Sequence, residues 1–363
     1  MNQPVPAPSE QIYISTIEKR MQDLLSEYAE RCRQISPASV ALIESIADLV
    51  TSGKRLRALL AWWGWQGAGG DADDPRIIEA GVSLELFQAA ALIHDDVVDR
   101  SDTRRGRPSV HRRFEALHRE SDWTQDSAHF GVASAVLTGD LALALSEEVF
   151  ASAADATAFA SSARTAFNTM RFEVMVGQYL DIKSEVDVHG IDPAEARSLA
   201  RTVVEYKSAN YSVVWPLAIG AVLAGADEST LDGLSRFSRP LGIAFQLQDD
   251  LLGVFGDPHL TGKPAGDDLR EGKRTELIAH ALDQLNGDDA SRLTGSLGNP
   301  DLTDADVVEI QDLLESSGAR AALSGEVRDL GEQALTALDA LDTTDVVRQG
   351  LRHLTERILQ RST

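Results

Sequence analysis

Three carboxylates arrive abruptly at the end of an apolar stretch. Leu84 to Asp99 reads LELFQAAALIHDDVVD, which places Asp95, Asp96 and Asp99 close together. On a helix, Asp95 and Asp99 share a face. Carboxylates that close repel one another unless a cation sits between them. Hard oxygen donors of this kind suit Mg²⁺, which keeps several waters and is held by one or two carboxylates plus substrate phosphates. A solvated helix end would read the same way. The following residues, SDTRRGRP, put Arg104, Arg105 and Arg107 just beyond the acids. Guanidinium groups bind phosphate oxygens in a bidentate manner. Together the two runs describe a diphosphate–Mg²⁺ site, with simple Asp–Arg pairing as the alternative, above all for Arg107.

A second cluster follows about 150 residues later. Phe245 to Asp257 reads FQLQDDLLGVFGD, and Gln246, Asp249 and Asp250 lie at i, i+3 and i+4, on one helical face. The next segment, TGKPAGDDLREGK, adds Lys263, Asp267 and Lys273 around a Gly-rich loop. Two acidic helices, each followed by basic residues, are the parts from which a bundle builds a carboxylate metal site across a cavity.

The elements that must position these groups are helices almost throughout. The spacing predicts helices over Ile12–Arg33, Ile77–Val98, Ala128–Phe150, Asp155–Asp181, Pro193–Gly225 and Ser229–Val254. Strict period-two alternation is missing, which argues against a sheet. Gly/Pro/Asp clusters at Gly67–Pro75, Gly106–Pro108, Gly256–Gly266 and Gly298–Pro300 separate the segments. The expectation is one all-α domain over residues 11–363, a helical bundle with a central substrate cavity, preceded by a disordered stretch over residues 1–10. Leu59 to Trp65, LLAWWGW, reads as core or subunit interface.

Bulk properties narrow the function classes. A net charge of −23 argues against a nucleic-acid binder, but not against phosphate ligands met by local Lys and Arg or by bridging cations. The single cysteine, Cys32, excludes an intramolecular disulfide and fits a reducing compartment. The start, MNQPVPAPSEQ, lacks the pattern of a signal peptide. The longest nearly apolar run, Val213–Ala226, is shorter than the ~20 residues a bilayer requires. A cytoplasmic protein with no transmembrane segment is therefore expected.

The pair DDVVD…RRG and QDD…TGK…GDDL…GK resembles the trans-polyprenyl diphosphate synthase family over Lys54 to Lys273, and more weakly beyond. Further matching pieces are GKRLR at Gly53–Arg57, Gln88, GQYLD at Gly177–Asp181 and YKSA at Tyr206–Ala209. The resemblance implies the isoprenoid synthase fold, a homodimer and three Mg²⁺ per active site. It assigns Asp95, Asp99 and Asp249 to the metal, with Asp96, Asp250 and Asp267 in support. Arg104, Lys207 and Lys263 would hold an allylic diphosphate; Lys54, Arg57, Gln88 and Arg105 would hold isopentenyl diphosphate. Lys207, Ser208 and Gln246 would line the reacting carbons, the Lys207 carbonyl and Gln246 amide steadying a carbocation. Lys273, Gln178 and Asp181 also match family motifs. One departure stands out: many members carry a third Asp four residues after the first of the second motif, where this chain has Gly253.

Chain length is read from the residues before the first motif. Ala90 and Ala91 are small, while Phe87 lies eight residues before Asp95 and is read as about one turn deeper on the same face. A turn advances ~5.4 Å, close to one isoprene unit. The expectation is therefore geranylgeranyl diphosphate, with farnesyl or longer products as the alternative. A terpene cyclase would lack GKRLR, Gln88 and Arg105, and a non-catalytic subunit would have lost aspartates or site lysines. Gly253 is the only hint of the latter.

Overall fold

The computed structural model describes residues 8–187, 192–256 and 266–359. They form two compact helical units, one of residues 8–164 with 220–225, the other of the remaining described residues.

In the first unit α1 (Pro8–Ile35) is followed by a 3₁₀ turn at Pro37–Ser39, α2 (Val40–Val50), α3 (Leu56–Gly67) and α4 (Pro75–Val98). A hairpin of β1 (Thr103–Arg104) and β2 (Arg107–Pro108) leads to α5 (Val110–Glu120) and α6 (Ser127–Asp155). The all-α expectation holds, with this hairpin as the one pairing of strands among the described residues. It forms because Arg105 (φ 54°) and Gly106 (φ 73°) both take left-handed backbone, the geometry of a two-residue hairpin turn.

The core of this unit is aromatic. Trp62, Trp63 and Trp65 are buried, and Trp62 stacks on Tyr13 of α1 at 5.3 Å. Trp63 donates its indole N–H to Glu10 at 2.9 Å, as a buried indole must find an acceptor. Residues 8–10, expected to be disordered, therefore belong to α1. LLAWWGW is core.

α4 starts on Pro75, a favoured first helical residue, capped by Asp74, which accepts from the Arg76 N–H at 2.8 Å. It packs most extensively on α6. There Ser83 donates to the Ser146 carbonyl at 2.8 Å, and Ser146 returns the bond to the Ser83 carbonyl at 2.8 Å. By length and composition α4 and α6 could each cross a membrane, but 72% of the α4 window is buried, as in a core helix. α6 buries only 33% of its window and exposes Val132, Val136 and Leu137.

α7 (Ala160–Val186) starts five residues later than predicted. Thr157, whose hydroxyl accepts from the Phe159 N–H at 3.3 Å, marks the break after α6. The predicted helix over Pro193–Gly225 divides into α8 (Pro193–Val203), a π-helical stretch over Val204–Val214 and α9 (Trp215–Ala224), ending where Gly225 turns left-handed. Such i→i+5 winding is rare and concentrates at functional sites.

α10 (Glu228–Phe255) crosses the π-helical stretch, with Gly242 backing on Ala209. Then come α11 (Asp267–Glu271), α12 (Glu276–Gln284), α13 (Gly287–Ser296), α14 (Asp304–Ser316), α15 (Ala319–Asp339) and α16 (Asp345–Leu359). The core of this second unit gathers Leu247, Leu251 and Val254 of α10 with Leu277, Leu314 and Leu323.

Candidate active site

The first acidic motif sits at the C-terminal end of α4, where the helix dipole is already negative. Three carboxylates there would be strongly unfavourable without a counter-charge. The hairpin supplies one. Arg104 donates through Nε to Asp96 at 2.7 Å and through Nη2 to Asp95 at 3.2 Å. Asp96 is buried, while Asp95 and Asp99 are half-buried. Burial alone would pull the Arg104 guanidinium down, but Asp96, Asp95 and Asp99 outweigh it and hold it above its ordinary range. Pairing foreseen for Arg107 is thus made by Arg104, and Arg107 is exposed.

The next residue works in the opposite sense. Arg105 donates through Nη1 to the Leu49 carbonyl at 3.0 Å, to the Ser52 hydroxyl at 3.1 Å and to the Ser52 carbonyl. It thereby joins the hairpin to the loop carrying GKRLR. Burial lowers its pKa, and the positive charges of Arg55, Arg104 and Arg57 lower it further against the pull of Glu85. In a chain of net charge −23 this is a local crowd of cations, the electrostatic setting of an anion site. Lys54 is exposed at its edge; Arg57 and Gln88 are half-buried.

In the second unit the structure brings GQYLD and YKSA together. Lys207 Nζ pairs with Asp181. Gly177 lies so close to the backbone of residue 207 that a Cβ there would collide with it. Ser208 and Gln178 are half-buried. Nearby in sequence, Glu173 accepts from Asn210 at 2.8 Å and Trp215 at 2.6 Å, a staple of the π-helical stretch that sequence reasoning missed.

The second acidic motif lies on α10. Asp249 is exposed, and Asp250 is buried with its Oδ1 accepting from Gln246 Nε2 at 2.7 Å. Burial pushes the Asp250 carboxyl well above the usual carboxylate range; Gln246 opposes this, and Asp268 and Asp249 reinforce it.

The first-named acid of GDDL, Asp267, is half-buried at the start of α11. Its neighbour Asp268 keeps company with the motif: a Cβ at Gly253 would collide with the Asp268 carboxylate. Asp268 in turn faces Lys273 at 3.6 Å, and Lys273 pairs with Glu271 at 2.5 Å. The doublet in GDDL was the available signal, and spacing alone did not choose between its members. Lys263 lies outside the described residues.

The residues fit a divalent cation in donor type. Asp95, Asp96 and Asp99 in the first unit, and Asp249 and Asp250 in the second, each offer hard oxygens, though no three acids are gathered as a metal cluster among the described residues. Arg104 stands in for a cation on two of the first set.

A family model described as polyprenyl synthetase matches residues 40–314. The chain is similar to a geranylgeranyl pyrophosphate synthase of Corynebacterium glutamicum solved with isoprenyl diphosphate and magnesium. The two are 36% identical, with a TM-score of 0.90, over 96% of this chain and 99% of that one. It is 31% identical to a (2E,6E)-farnesyl diphosphate synthase of Mycobacterium bovis, over 85% of this chain and 80% of the relative. It is also 28% identical to a geranylfarnesyl diphosphate synthase of Aeropyrum pernix, over 93% and 96%. The chain belongs to the polyprenyl synthetase family. It is a prenyltransferase of the trans-prenyl diphosphate synthase class.

Proposed function

We propose that the protein condenses isopentenyl diphosphate head to tail with an allylic diphosphate and makes chiefly geranylgeranyl diphosphate. The observation that carries the diphosphate chemistry is the Arg104–Arg105 turn. One guanidinium lies on the acids of α4, and the next stands in a crowd of cations.

Asp95, Asp99 and Asp249 would hold Mg²⁺, with Asp96, Asp250 and Asp267 in support and Asp268 beside them. When bound, the metal neutralises charge on the departing diphosphate. Arg104, Lys207, Lys263 and Lys273 bind the oxygens of the allylic diphosphate and oppose the charge that grows on them as its C–O bond breaks. Lys54, Arg57, Gln88 and Arg105 hold isopentenyl diphosphate. Ser208 and Gln246 line the allylic carbons. With its amide N–H given to Asp250, Gln246 keeps a carbonyl dipole for the cation. The isopentenyl double bond then adds to the cationic carbon, and the proton lost passes to the released diphosphate. Excluding water protects the cation.

Similar proteins are named for farnesyl, geranylgeranyl and geranylfarnesyl products, so product length rests on α4. Ser83 and His94 mark its α6-facing stripe through Ser146 and Val136. At 3.6 residues per turn, Phe87 lies roughly 40° from Ser83 and roughly 80° from Asp95, so it does not share the face of Asp95 as expected. Its buried ring stands between the two faces, where it would floor a twenty-carbon tail beyond Ala90 and Ala91. Purified protein supplied with Mg²⁺, isopentenyl diphosphate and each allylic starter in turn should give a twenty-carbon product. Phe87→Ala should lengthen it; unchanged products would sink the assignment.

The exposed apolar face of α6 supports a homodimer through Val132, Val136 and Leu137. Sedimentation equilibrium should return twice the chain mass, and Leu137→Asp should reduce it towards the chain mass.

A further inference from the structure

α2 ends at Thr51 in right-handed helical backbone, without a glycine cap. Its last carbonyls therefore need outside donors. Two guanidiniums provide them: Arg105 takes the Leu49 carbonyl and Arg55 takes the Val50 carbonyl. Between them the chain turns through Gly53 (φ 141°) and Arg55 itself (φ 52°). The latter is a conformation that a residue with a Cβ seldom takes. Arg55 then opens α3, its carbonyl accepting from the Leu59 N–H at 2.9 Å.

Arg55 is 3% exposed; its charge adds to the crowd of cations around Arg105, but its guanidinium is engaged by protein carboxylates. Its Nη1 meets Glu85 of α4 at 3.2 Å, and its Nη2 meets Glu18 of α1 at 3.0 Å. Glu85 stands three residues before Gln88 on the same helix. One buried cation thus fixes the backbone between Lys54 and Arg57 and ties it to α4 just below Gln88.

We infer that Arg55 is a positioning residue for the homoallylic diphosphate. By holding the Gly53–Arg57 segment against Glu85, it presents Lys54 and Arg57 in register with Gln88. It touches no substrate and acts on binding, not on bond breaking. The inference rests on the reading of Lys54, Arg57 and Gln88 as the groups that hold isopentenyl diphosphate, so the test separates the two.

Three variants suffice. Arg55→Met combined with Glu85→Met removes both buried charges together, which avoids stranding one of them. Arg55→Lys keeps the charge but loses the fork that reaches Val50, Glu18 and Glu85 at once. Lys54→Ala is the control for the site. Thermal melting establishes folding, and initial rates are measured with each substrate varied at saturation of the other. In both Arg55 variants KM for isopentenyl diphosphate should rise about tenfold, with kcat within about threefold and the allylic KM within about twofold. A merely structural residue would lower the melting temperature and leave that KM alone. An unchanged KM in the folded variants overturns the proposal, as does failure of both to fold, which would make Arg55 an element of the fold alone. If Lys54→Ala leaves KM for isopentenyl diphosphate unchanged, the reading of the site fails instead.

Discussion

The two acidic motifs use the same residue types in opposite electrostatic surroundings. On α4 the buried member, Asp96, lies against Arg104, and the same guanidinium reaches Asp95. On α10 the buried member, Asp250, meets a neutral amide as its hydrogen-bond partner among the described residues, and burial drives its carboxyl towards the protonated form. A pair of aspartates therefore does not announce its own charge. What decides it is whether a cation is delivered to the buried oxygen, and in this chain the β-hairpin does so for one motif.

Breaking the delivered pair should have the largest effect. Arg104→Gln strands Asp96 in a buried position, and the unfolding free energy should fall by about 3–5 kcal/mol in chemical denaturation. A loss below ~1 kcal/mol would mean that water screens the pair. Next comes the chemistry. Asp95→Asn should lower kcat by about 10²–10³-fold, roughly 2.7–4 kcal/mol of transition-state stabilisation. The same change at exposed Asp249, assayed alongside, shows whether the two motifs contribute equally.

A third change tests the second motif sterically. Gly253→Asp forces a side chain into the space of the Asp268 carboxylate and should destabilise by about 1–3 kcal/mol. Adding Asp268→Gly should return most of the loss; no rescue would show that the two positions are independent.

The smallest effect is a pH dependence of metal-free protein. The folded pKa of Asp250 is raised above its unfolded value near 3.9. The folded state therefore holds more protons than the unfolded one above that value, and stability falls as pH rises through the folded pKa. In a chelator, Asp250→Asn should melt higher than the parent at neutral pH, the gap closing as pH falls to about 4. A gap that does not vary with pH would place its origin elsewhere.

Much of this is legible in the sequence. Long Ala/Leu-rich segments with helical periodicity gave the all-α class, and Pro75 or Gly225 marked ends because their backbone preferences are strong. The start of α7 was misplaced because Ala151–Ala166 is uniformly rich in small residues, so only the Thr157 hydroxyl marks the break. The hairpin escaped notice because its strands are two residues long and one turn position is an arginine in left-handed backbone. π-helical winding over Val204–Val214 has no periodicity signal short enough to read in eleven residues. In the site, residue types with a fixed chemical meaning were found early. Arg55, Glu85, Glu173 and Asp268 were not, because their roles come from what they pack against.

The Arg104 pair has one more consequence. The acidic end of α4 is partly neutralised by the chain itself, so the fold of this end need not wait on a metal ion, unlike in small domains that collapse only around their ion. On the proposed reading, loading would be an exchange of one cation for another. On the same reading, a protein built this way would keep its fold when the divalent ion is scarce.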